Sequence, residues 1–310
     1  MDKNTTSKYK GIAILSVIIC HAMGTFAQGR ITWFTPLGGV GVAIFLLLSA
    51  YGLNESWNRS LDLDGGVPHR YWWRKRFITV WIPYIIVQLI AYWPFHEFRI
   101  DQFILDVTLI KPLYQNGWYL QHLFMWYMIF YIVRRIDALD KHRVLIFTIV
   151  SVITFFTLRE IKAEQSLSFL AGILLSERKE FREKLFKPRW GIILMAFGIG
   201  CLAIKQLSFI RTAPQIIMNL VQLGIKLPAG LGLMVLAHSV LKKWKLTVLY
   251  WIGLISYELY LVHGYVLSAV PVSVAGAVLF VVITALISFA FWWTMKKLKP
   301  VWYRCFRVVM

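Results

Sequence analysis

The amino-acid sequence predicts an all-α fold: a polytopic bundle of about ten transmembrane helices with both termini in the cytoplasm. Three observations lead to this prediction. Hydrophobic residues make up 58% of the chain and charged residues only 16%, whereas soluble domains contain about 45–50% and about 25%. The apolar residues are gathered in ten runs, most of them near the length that a helix needs to cross a bilayer. Lysine and arginine are concentrated in every second segment between those runs.

The apolar runs follow one another with no loop long enough for a soluble domain, so residues 1–310 are predicted to form one integral membrane domain. His21 interrupts the first run and nine more runs follow, which favours an uncleaved helix over a signal peptide. Pro228 is predicted to kink the eighth span. In chain order the predicted spans are 11–27, 37–54, 77–94, 118–133, 144–158, 166–176, 190–204, 215–240, 247–268 and 274–295.

The distribution of charge sets the orientation of these spans. Of 34 Lys and Arg residues, 26 fall in the alternate segments that begin at the N-terminus, seven fall in the other segments, and Lys226 lies within the eighth run. Membrane proteins keep such cations on the cytoplasmic side. Both termini are therefore predicted to be cytoplasmic, with membrane lipid as a partner. A nucleic-acid partner is not expected from the net charge of +19, because the cations lie between apolar runs rather than in one patch.

Metal and disulfide chemistry are not predicted. Cys20 and Cys201 lie inside apolar runs, and Cys305 lies in a basic tail. Their spacing suits neither a disulfide nor a set of metal ligands.

Two ionisable residues lie where a bilayer makes charge costly. His21 follows Lys10 by eleven residues, which places it roughly 16 Å deeper at 1.5 Å per residue, close to the middle of the membrane. Glu258 is the only acid predicted to lie well inside a span, at a similar depth. The two residues are predicted either to share a functional polar cavity or to form a buried hydrogen bond between helices.

The ninth predicted span carries a polar face. Ser256, Tyr260 and His263 recur at positions i, i+4 and i+7 and therefore lie on one side of a helix. Glu258 lies about 140° away from His263 around an unbroken helix. We therefore expect Glu258 and His263 to meet different neighbours. Ser256 and Tyr260 fit a substrate site and also simple bonding between helices.

Aromatic and basic residues mark two span ends. Arg74, Lys75 and Arg76 precede the third span and follow three aromatic residues. Such a collar is ordinary interfacial anchoring, but guanidinium groups also bind phosphates bidentately. The three cations are thus either anchors or a docking site for a phosphorylated ligand. Trp118 and Tyr119, at the outer end of the fourth span, are likewise either anchors or stacking platforms for a sugar.

Four motifs in chain order resemble those of the membrane acyltransferase family 3. Lys10 and His21, with ten residues between them, resemble the arginine-ten-residues-histidine signature of that family. Residues 39–53 look like its second-span motif. Residues 74–84 resemble its basic approach to span three, and residues 255–263 resemble its late serine-tyrosine, leucine-tyrosine-leucine and histidine motif. The resemblance covers essentially the whole chain.

The sequence departs from this family pattern at three positions. Lys10 stands where arginine is typical and keeps the charge without the bidentate fork. Ala43 stands where an acidic residue is common, and Ala50 where glycine is usual. The resemblance therefore supports roles for His21 and for the charge of Lys10, but none for an acid in span two.

The resemblance implies a bacterial inner-membrane O-acyltransferase, most simply one that moves acetyl from cytoplasmic acetyl-CoA to a hydroxyl of a cell-surface glycan or lipid-linked saccharide. Acetyl-CoA is then a substrate, and no permanently bound cofactor is expected. His21 would act as general base or as transient acyl carrier, and Glu258 would orient it if the two met. The candidate residues are His21, Lys10, Glu258 and His263 for catalysis, Arg74, Lys75 and Arg76 for CoA, and Ser49, Trp118, Tyr119, Ser256 and Tyr260 for substrate.

A transporter or exporter of glycans or small anionic substrates is the alternative function. Such a protein would also use intramembrane His and Glu, as a proton relay. The four motifs in register favour the acyltransferase.

Overall fold

The computed structural model describes residues 1–27, 34–63, 72–95, 99–114, 116–244 and 246–309. Within these ranges the chain forms helices, turns and loops and no strand. The helices are α1 (Lys3–Phe26), α2 (Pro36–Leu63), α3 (Trp72–Arg76), α4 (Ile82–Phe95), α5 (Ile100–Val107), α6 (Gly117–Arg135), α7 (Asp137–Asp140), α8 (Arg143–Thr157), α9 (Glu160–Ala163), α10 (Ser166–Glu177), α11 (Lys179–Leu185), α12 (Pro188–Lys205), α13 (Ser208–Arg211), α14 (Gln215–Lys243), α15 (Thr247–Leu254), α16 (Ser256–Ala269) and α17 (Val274–Val309), with a π-helical turn over Phe77–Trp81 between α3 and α4.

All ten predicted spans fall on helical segments. Five helices, α1, α2, α12, α14 and α17, are long and apolar enough to cross a membrane. The other predicted spans fall on helices that are shorter, less apolar or interrupted, namely α4 with its π-helical turn, α6, α8, α10 and the pair α15 and α16. The all-helical fold with membrane-spanning helices is therefore confirmed. The count of ten and the cytoplasmic position of both termini stay predictions.

The ninth predicted span consists of two helices, α15 and α16, that meet at Ile255. The N–H of Ile255 donates to the oxygen of Trp251 at 3.3 Å and its own oxygen accepts from the N–H of Leu259 at 2.9 Å, while its φ of −99° and ψ of 13° break the regular helix. On the near side of the break, Gly253 of α15 lies directly against the backbone of α1 at Ser7, where no Cβ would fit. This close approach fixes α15 on α1, while α16 continues as a separate element beside the second half of α1.

Helices α1 and α2 lie at the centre of the packing. Helix α1 packs against α2, α15 and α16, and α2 packs in addition against α10 and α14. Helix α17 instead presents large apolar side chains such as Val281 and Leu286 outward. Such exposed residues suit a surface covered by lipid tails. The buried centre between α1, α2, α6 and α16 is thus the part of the chain in which polar residues are shielded from lipid.

Lys226, the cation within the eighth predicted span, has a counter-charge. Its ammonium group forms an ion pair with Glu164, directly after α9, and both residues are buried. The stem of Lys226 fills the space beside Gly39 of α2 where a larger side chain would otherwise lie. Because removing one partner of a buried pair leaves an uncompensated charge, this pair fastens α14 to α2 and to the start of α10.

Candidate functional site

His21 and His263 form a side-chain pair in the centre of the bundle. Nδ1 of His21 on α1 lies 3.2 Å from Nε2 of His263 on α16, and the ring centroids are 5.0 Å apart. His263 is fully buried, whereas His21 is only half-buried. The pair therefore has one enclosed member and one member that faces a cavity.

The hydrogen bonds of the pair determine its tautomers. Nδ1 of His263 lies 2.8 Å from the carbonyl oxygen of Tyr260 and 3.1 Å from that of Leu259. Carbonyl oxygens only accept, so Nδ1 of His263 carries the hydrogen, and Nε2 of the neutral ring accepts. In its contact with that nitrogen His21 is then the donor, from Nδ1, and shares the single lone pair of His263 Nε2 with the amide of Asn116. This tautomer leaves a lone pair on Nε2 of His21. This assignment follows from the bonding network, and it gives His21 the form of a base.

Asn116, immediately before α6, bonds to His263, the enclosed member of the pair. Its Nδ2 group donates to Nε2 of His263 at 3.3 Å and to the hydroxyl of Tyr114 at 3.2 Å. The hydroxyl of Tyr260 donates to the backbone oxygen of Asn116 at 2.7 Å, and that of Tyr114 donates to the backbone oxygen of Tyr260 at 3.0 Å. Asn116, Tyr114 and Tyr260 are all buried. This closed set of bonds fixes the ring of His263 and, through it, the ring of His21.

A cavity of about 290 Å³, the histidine pocket, lies in front of His21. Its lining includes Asn116, Trp118 and Tyr260, and none of the described residues that line it is charged at neutral pH. Trp118 supplies an indole ring of the kind that stacks on sugars. Gly38 and Gly39 of α2 form part of the wall, and glycine there leaves room beside Cys20 and Lys226.

A second cavity, the basic vestibule, opens at the N-terminal end of α1 and has a volume of about 770 Å³. The described residues that line it include five cationic side chains and one carboxylate, that of Glu55. The cations are Lys3, Lys8, Lys10, Arg59 and Lys75. Such an excess of positive charge in a concave surface attracts anions.

A third cavity, the tyrosine chamber, lies between the first two. It has a volume of about 310 Å³ and shares Lys10, Gly52 and Lys75 with the basic vestibule and Tyr260 with the histidine pocket. Its uncharged polar lining comes from Ser49, Thr79, Ser256 and four tyrosines, and these tyrosines are Tyr119, Tyr127, Tyr257 and Tyr260. The three cavities thus follow one another along α1, from the charge of Lys10 to the imidazole of His21.

Glu258 does not accompany His21. It lies in the first turn of α16, five residues before His263, which is about 7.5 Å along a helix axis. The cationic side chains that act electrostatically on Glu258 are Lys299 and Lys10, and within the described hydrogen bonds His21 pairs with His263 instead. Because His263 lies beside His21, the offset of Glu258 from His263 along α16 places Glu258 away from the level of His21.

The remaining predicted site residues divide among the cavities. Ser49, Tyr119 and Ser256 line the tyrosine chamber, so Tyr119 and Trp118, although adjacent, face different cavities. Lys75 lines the vestibule and the chamber, and Arg76 lines the chamber. Arg74 turns away, with its guanidinium 5.4 Å from the ring centre of Tyr303 on α17. The docking of CoA phosphates on these three cations stays a prediction.

Asn116 and Tyr114 were missed by the sequence analysis. The Asn116-Gly117 dipeptide before an apolar run is a turn signal, and it marks the start of α6. Nothing in the local sequence, however, indicates that this turn reaches α16. That contact joins residues 147 positions apart.

Comparison with known proteins agrees with this geometry. A family model described as an acyltransferase domain matches residues 9–297, nearly the whole chain. In the same comparisons neither a curated protein nor a solved structure matches the chain. The matched segment contains His21, His263 and the described residues that line the tyrosine chamber and the histidine pocket, together with most of the membrane-spanning helices. Part of the vestibule lining, from Met1 to Lys8, precedes that segment. The protein therefore belongs to the acyltransferase domain family, the membrane acyltransferase family 3, and is a multi-pass membrane acyltransferase.

Proposed function

We propose that this protein is a bacterial inner-membrane O-acyltransferase that uses acetyl-CoA from the cytoplasm and acylates a hydroxyl of a glycan or lipid-linked saccharide. The observation that carries the proposal is the series of three cavities that leads from a cationic mouth to a base-form histidine. A donor with a charged end and a long neutral arm fits the basic vestibule and the tyrosine chamber. An uncharged, hydroxyl-rich acceptor fits the histidine pocket.

The basic vestibule suits the phosphates of CoA. Its five cations exceed its acidic groups by four, and charge-assisted hydrogen bonds from Lys and Arg are the strong contacts to phosphate. The neutral pantetheine arm would then follow Lys10 and Lys75 into the tyrosine chamber, where serine and tyrosine hydroxyls can meet its amides. The thioester would end near Tyr260, the residue that the chamber shares with the histidine pocket.

The chemistry assigned to His21 follows from its tautomer. Nε2 takes the proton of the acceptor hydroxyl while the hydroxyl oxygen attacks the thioester carbonyl. The carbon–sulfur bond then breaks, and the CoA thiolate takes the proton back from the imidazolium. His263 accepts the hydrogen bond from Nδ1–H throughout and stabilises the positive ring, as the third member of a catalytic triad does. His21 could equally attack first and carry the acyl group on Nε2.

The proposal is tested with purified protein in lipid nanodiscs, labelled acetyl-CoA and a lipid-linked saccharide fraction from bacterial envelopes. His21→Gln keeps one hydrogen bond but can neither take a proton nor carry an acyl group. We expect it to lower label transfer by about 10²–10⁴-fold, the usual contribution of a general base, while CoA binding is kept. His142→Gln, at an exposed histidine before α8, is the matched control and should transfer normally.

Two results would contradict the proposal. One is near-normal turnover by His21→Gln. The other is uptake of the saccharide into proteoliposomes without any covalent labelling, which would favour a transporter. Mass spectrometry of envelope glycans from cells with and without the protein then identifies the acylated sugar.

A further inference from the structure

A fourth cavity, the apolar side cavity, lies next to the tyrosine chamber and has a volume of about 270 Å³. The two cavities share Arg76, Val80, Leu123, Tyr127 and Tyr257 as a common wall. The side cavity therefore lies directly beside the path that we assign to the donor, and it takes no part in the chemistry described above.

Most of the side-cavity lining is apolar or aromatic, and three of its polar groups are bonded to protein atoms. The guanidinium of Arg76, on the wall shared with the tyrosine chamber, lies 4.4 Å from the ring centre of Trp72. The hydroxyl of Tyr84 donates to Oδ1 of Asp106 at 2.7 Å. The hydroxyl of Tyr257 donates to the backbone oxygen of Val80 at 2.7 Å, and the indole of Trp81 donates to the backbone oxygen of Val107 at 2.6 Å. An occupant thus gains little from hydrogen bonds and much from apolar contact.

The backbone around the side cavity is irregular on two sides. The π-helical turn Phe77–Trp81 forms one wall, and such turns are rare and frequently occur at functional sites. Leu109, on another wall, has φ 60°, a conformation that costs a non-glycine residue free energy. Two irregular backbone segments therefore border this cavity.

One lining residue of the side cavity approaches the turn that holds the histidine pair. The hydroxyl of Tyr84, which lines the cavity, lies 3.5 Å from the position that a Cβ on Gly117 would take. Gly117 directly follows Asn116, which bonds to His263. The side cavity is therefore linked to the histidine pair through this turn.

We propose that the apolar side cavity holds the acyl chain of the donor, so that the enzyme accepts CoA thioesters longer than acetyl-CoA. This inference rests on the proposed function. The cavity has about nine times the ~30 Å³ that one water occupies in the liquid, which is room for several methylene groups. Because the cavity lies beside the donor path, an acyl chain of the donor is favoured as its occupant over a lipid from the bilayer.

The test compares acetyl-, butyryl-, hexanoyl- and octanoyl-CoA as donors for the purified protein in nanodiscs, with kcat/KM and competitive donor binding as readouts. Each methylene that enters the cavity should raise kcat/KM about fourfold, which corresponds to ~0.8 kcal/mol, until the cavity is full. Leu120→Phe fills the cavity from a residue that does not line the tyrosine chamber. It should remove the gain for longer chains and change acetyl-CoA use less than twofold.

Leu170→Phe is the matched control, because Leu170 is equally a buried leucine but lines neither cavity. It should keep the chain-length profile of the unchanged protein. Phe124→Ala enlarges the cavity and should shift the preferred acyl chain to greater length. This variant tests the inference independently if Leu120→Phe does not fold.

Equal profiles for the two leucine variants, or a wild-type enzyme that uses butyryl-CoA tenfold less well than acetyl-CoA, would overturn the inference. Retention of a phospholipid in the cavity with no effect on donor choice would also overturn it. Failure of every CoA thioester to bind or react would instead contradict the proposed function itself.

Discussion

The basic vestibule and the histidine pocket differ in charge although they lie on one path through the same bundle. Five cations and a single carboxylate line the vestibule, whereas the described lining of the pocket carries no charged side chain. The tyrosine chamber joins them and carries both Lys10 and Tyr260. From this difference we infer that the two ends suit two different molecules, an anion in the vestibule and a neutral polar compound in the histidine pocket. Changes in the vestibule should therefore alter donor binding, and changes at the pocket should alter the rate of transfer.

The largest effect, a fall in kcat with little change in donor binding, is expected for His263→Phe. The phenyl ring keeps the volume but cannot accept the hydrogen bond from Nδ1 of His21, so His21 is free to adopt the wrong tautomer or orientation. Loss of an orienting residue costs up to ~10⁴-fold in kcat, and we expect a fall of about 100-fold or more. The KM for acetyl-CoA should change less than threefold, because the vestibule is unaltered. Steady-state kinetics with varied donor measure both constants.

His122→Phe is the matched control for that change. His122 is also a buried histidine, but it accepts a hydrogen bond from Trp126 at 3.1 Å rather than one from His21. An equal loss of kcat in the two variants would mean that His263 has only a packing role. The double variant His263→Phe with Asn116→Ala should be little worse than His263→Phe alone, since residues in contact are non-additive. The losses of His263→Phe and Glu258→Gln should multiply instead.

A smaller effect is expected at the vestibule. Lys75→Gln should raise the KM for acetyl-CoA about tenfold, which corresponds to ~1.4 kcal/mol, with kcat nearly unchanged. Lys75→Gln should not change the KM for S-acetyl-N-acetylcysteamine, a neutral donor without phosphates. Lys141→Gln, at an exposed cation between α7 and α8, is the matched control. A normal KM for acetyl-CoA in Lys75→Gln would leave Lys75 as an interfacial anchor.

The same lysine gives the vestibule a pH dependence. Lys75 precedes the third predicted span, and partial desolvation, with the charges of Arg76 and Lys3, lowers the pKa of its ammonium group. The cation is present below that pKa and is lost as the pH rises through it. Donor binding should therefore weaken on the alkaline side earlier than for an ordinary lysine. This alkaline limb should be missing in Lys75→Gln.

The smallest effect is expected for Asp2→Ala, which concerns stability alone. Asp2 is the N-cap of α1, and its Oδ1 accepts from the backbone N–H of Thr5 at 2.8 Å. Removing such a cap costs about 1 kcal/mol, measured as a lower midpoint of thermal unfolding in nanodiscs, while acetyl transfer stays unchanged. Asp2→Asn keeps a capping oxygen and should lose less. A change of kcat in Asp2→Ala would contradict a purely stabilising role.

The Asp2 cap also has a defined pH range. The hydrogen bond from Thr5 lowers the pKa of the Asp2 carboxyl. Its contribution is therefore present above the unfolded value, about 3.9, and is lost as the pH falls through the lower folded value. Asp2→Ala and the unchanged protein should differ at pH 7 and converge under strong acid.

The sequence by itself determined the properties that depend on short stretches of chain. Runs of apolar residues indicate helices for a membrane because length and hydropathy act within one element. The eleven-residue step from Lys10 to His21 fixed their separation because α1 is regular. The shared face of Ser256, Tyr260 and His263 follows from helical periodicity in the same way, and Tyr260 and His263 do meet the same neighbour, Asn116.

Only the tertiary structure decided which elements face one another. Periodicity indicates which side of α16 His263 occupies. The packing of α16 against α1 decides that His21 meets His263 and not Glu258. Local sequence likewise does not reveal the contact of Gly253, beside the break at Ile255, with the backbone of α1. Asn116 reaches His263 because the turn before α6 lies over α16. The cavities, too, exist only between helices, since their walls come from side chains that packing brings together across long stretches of the chain.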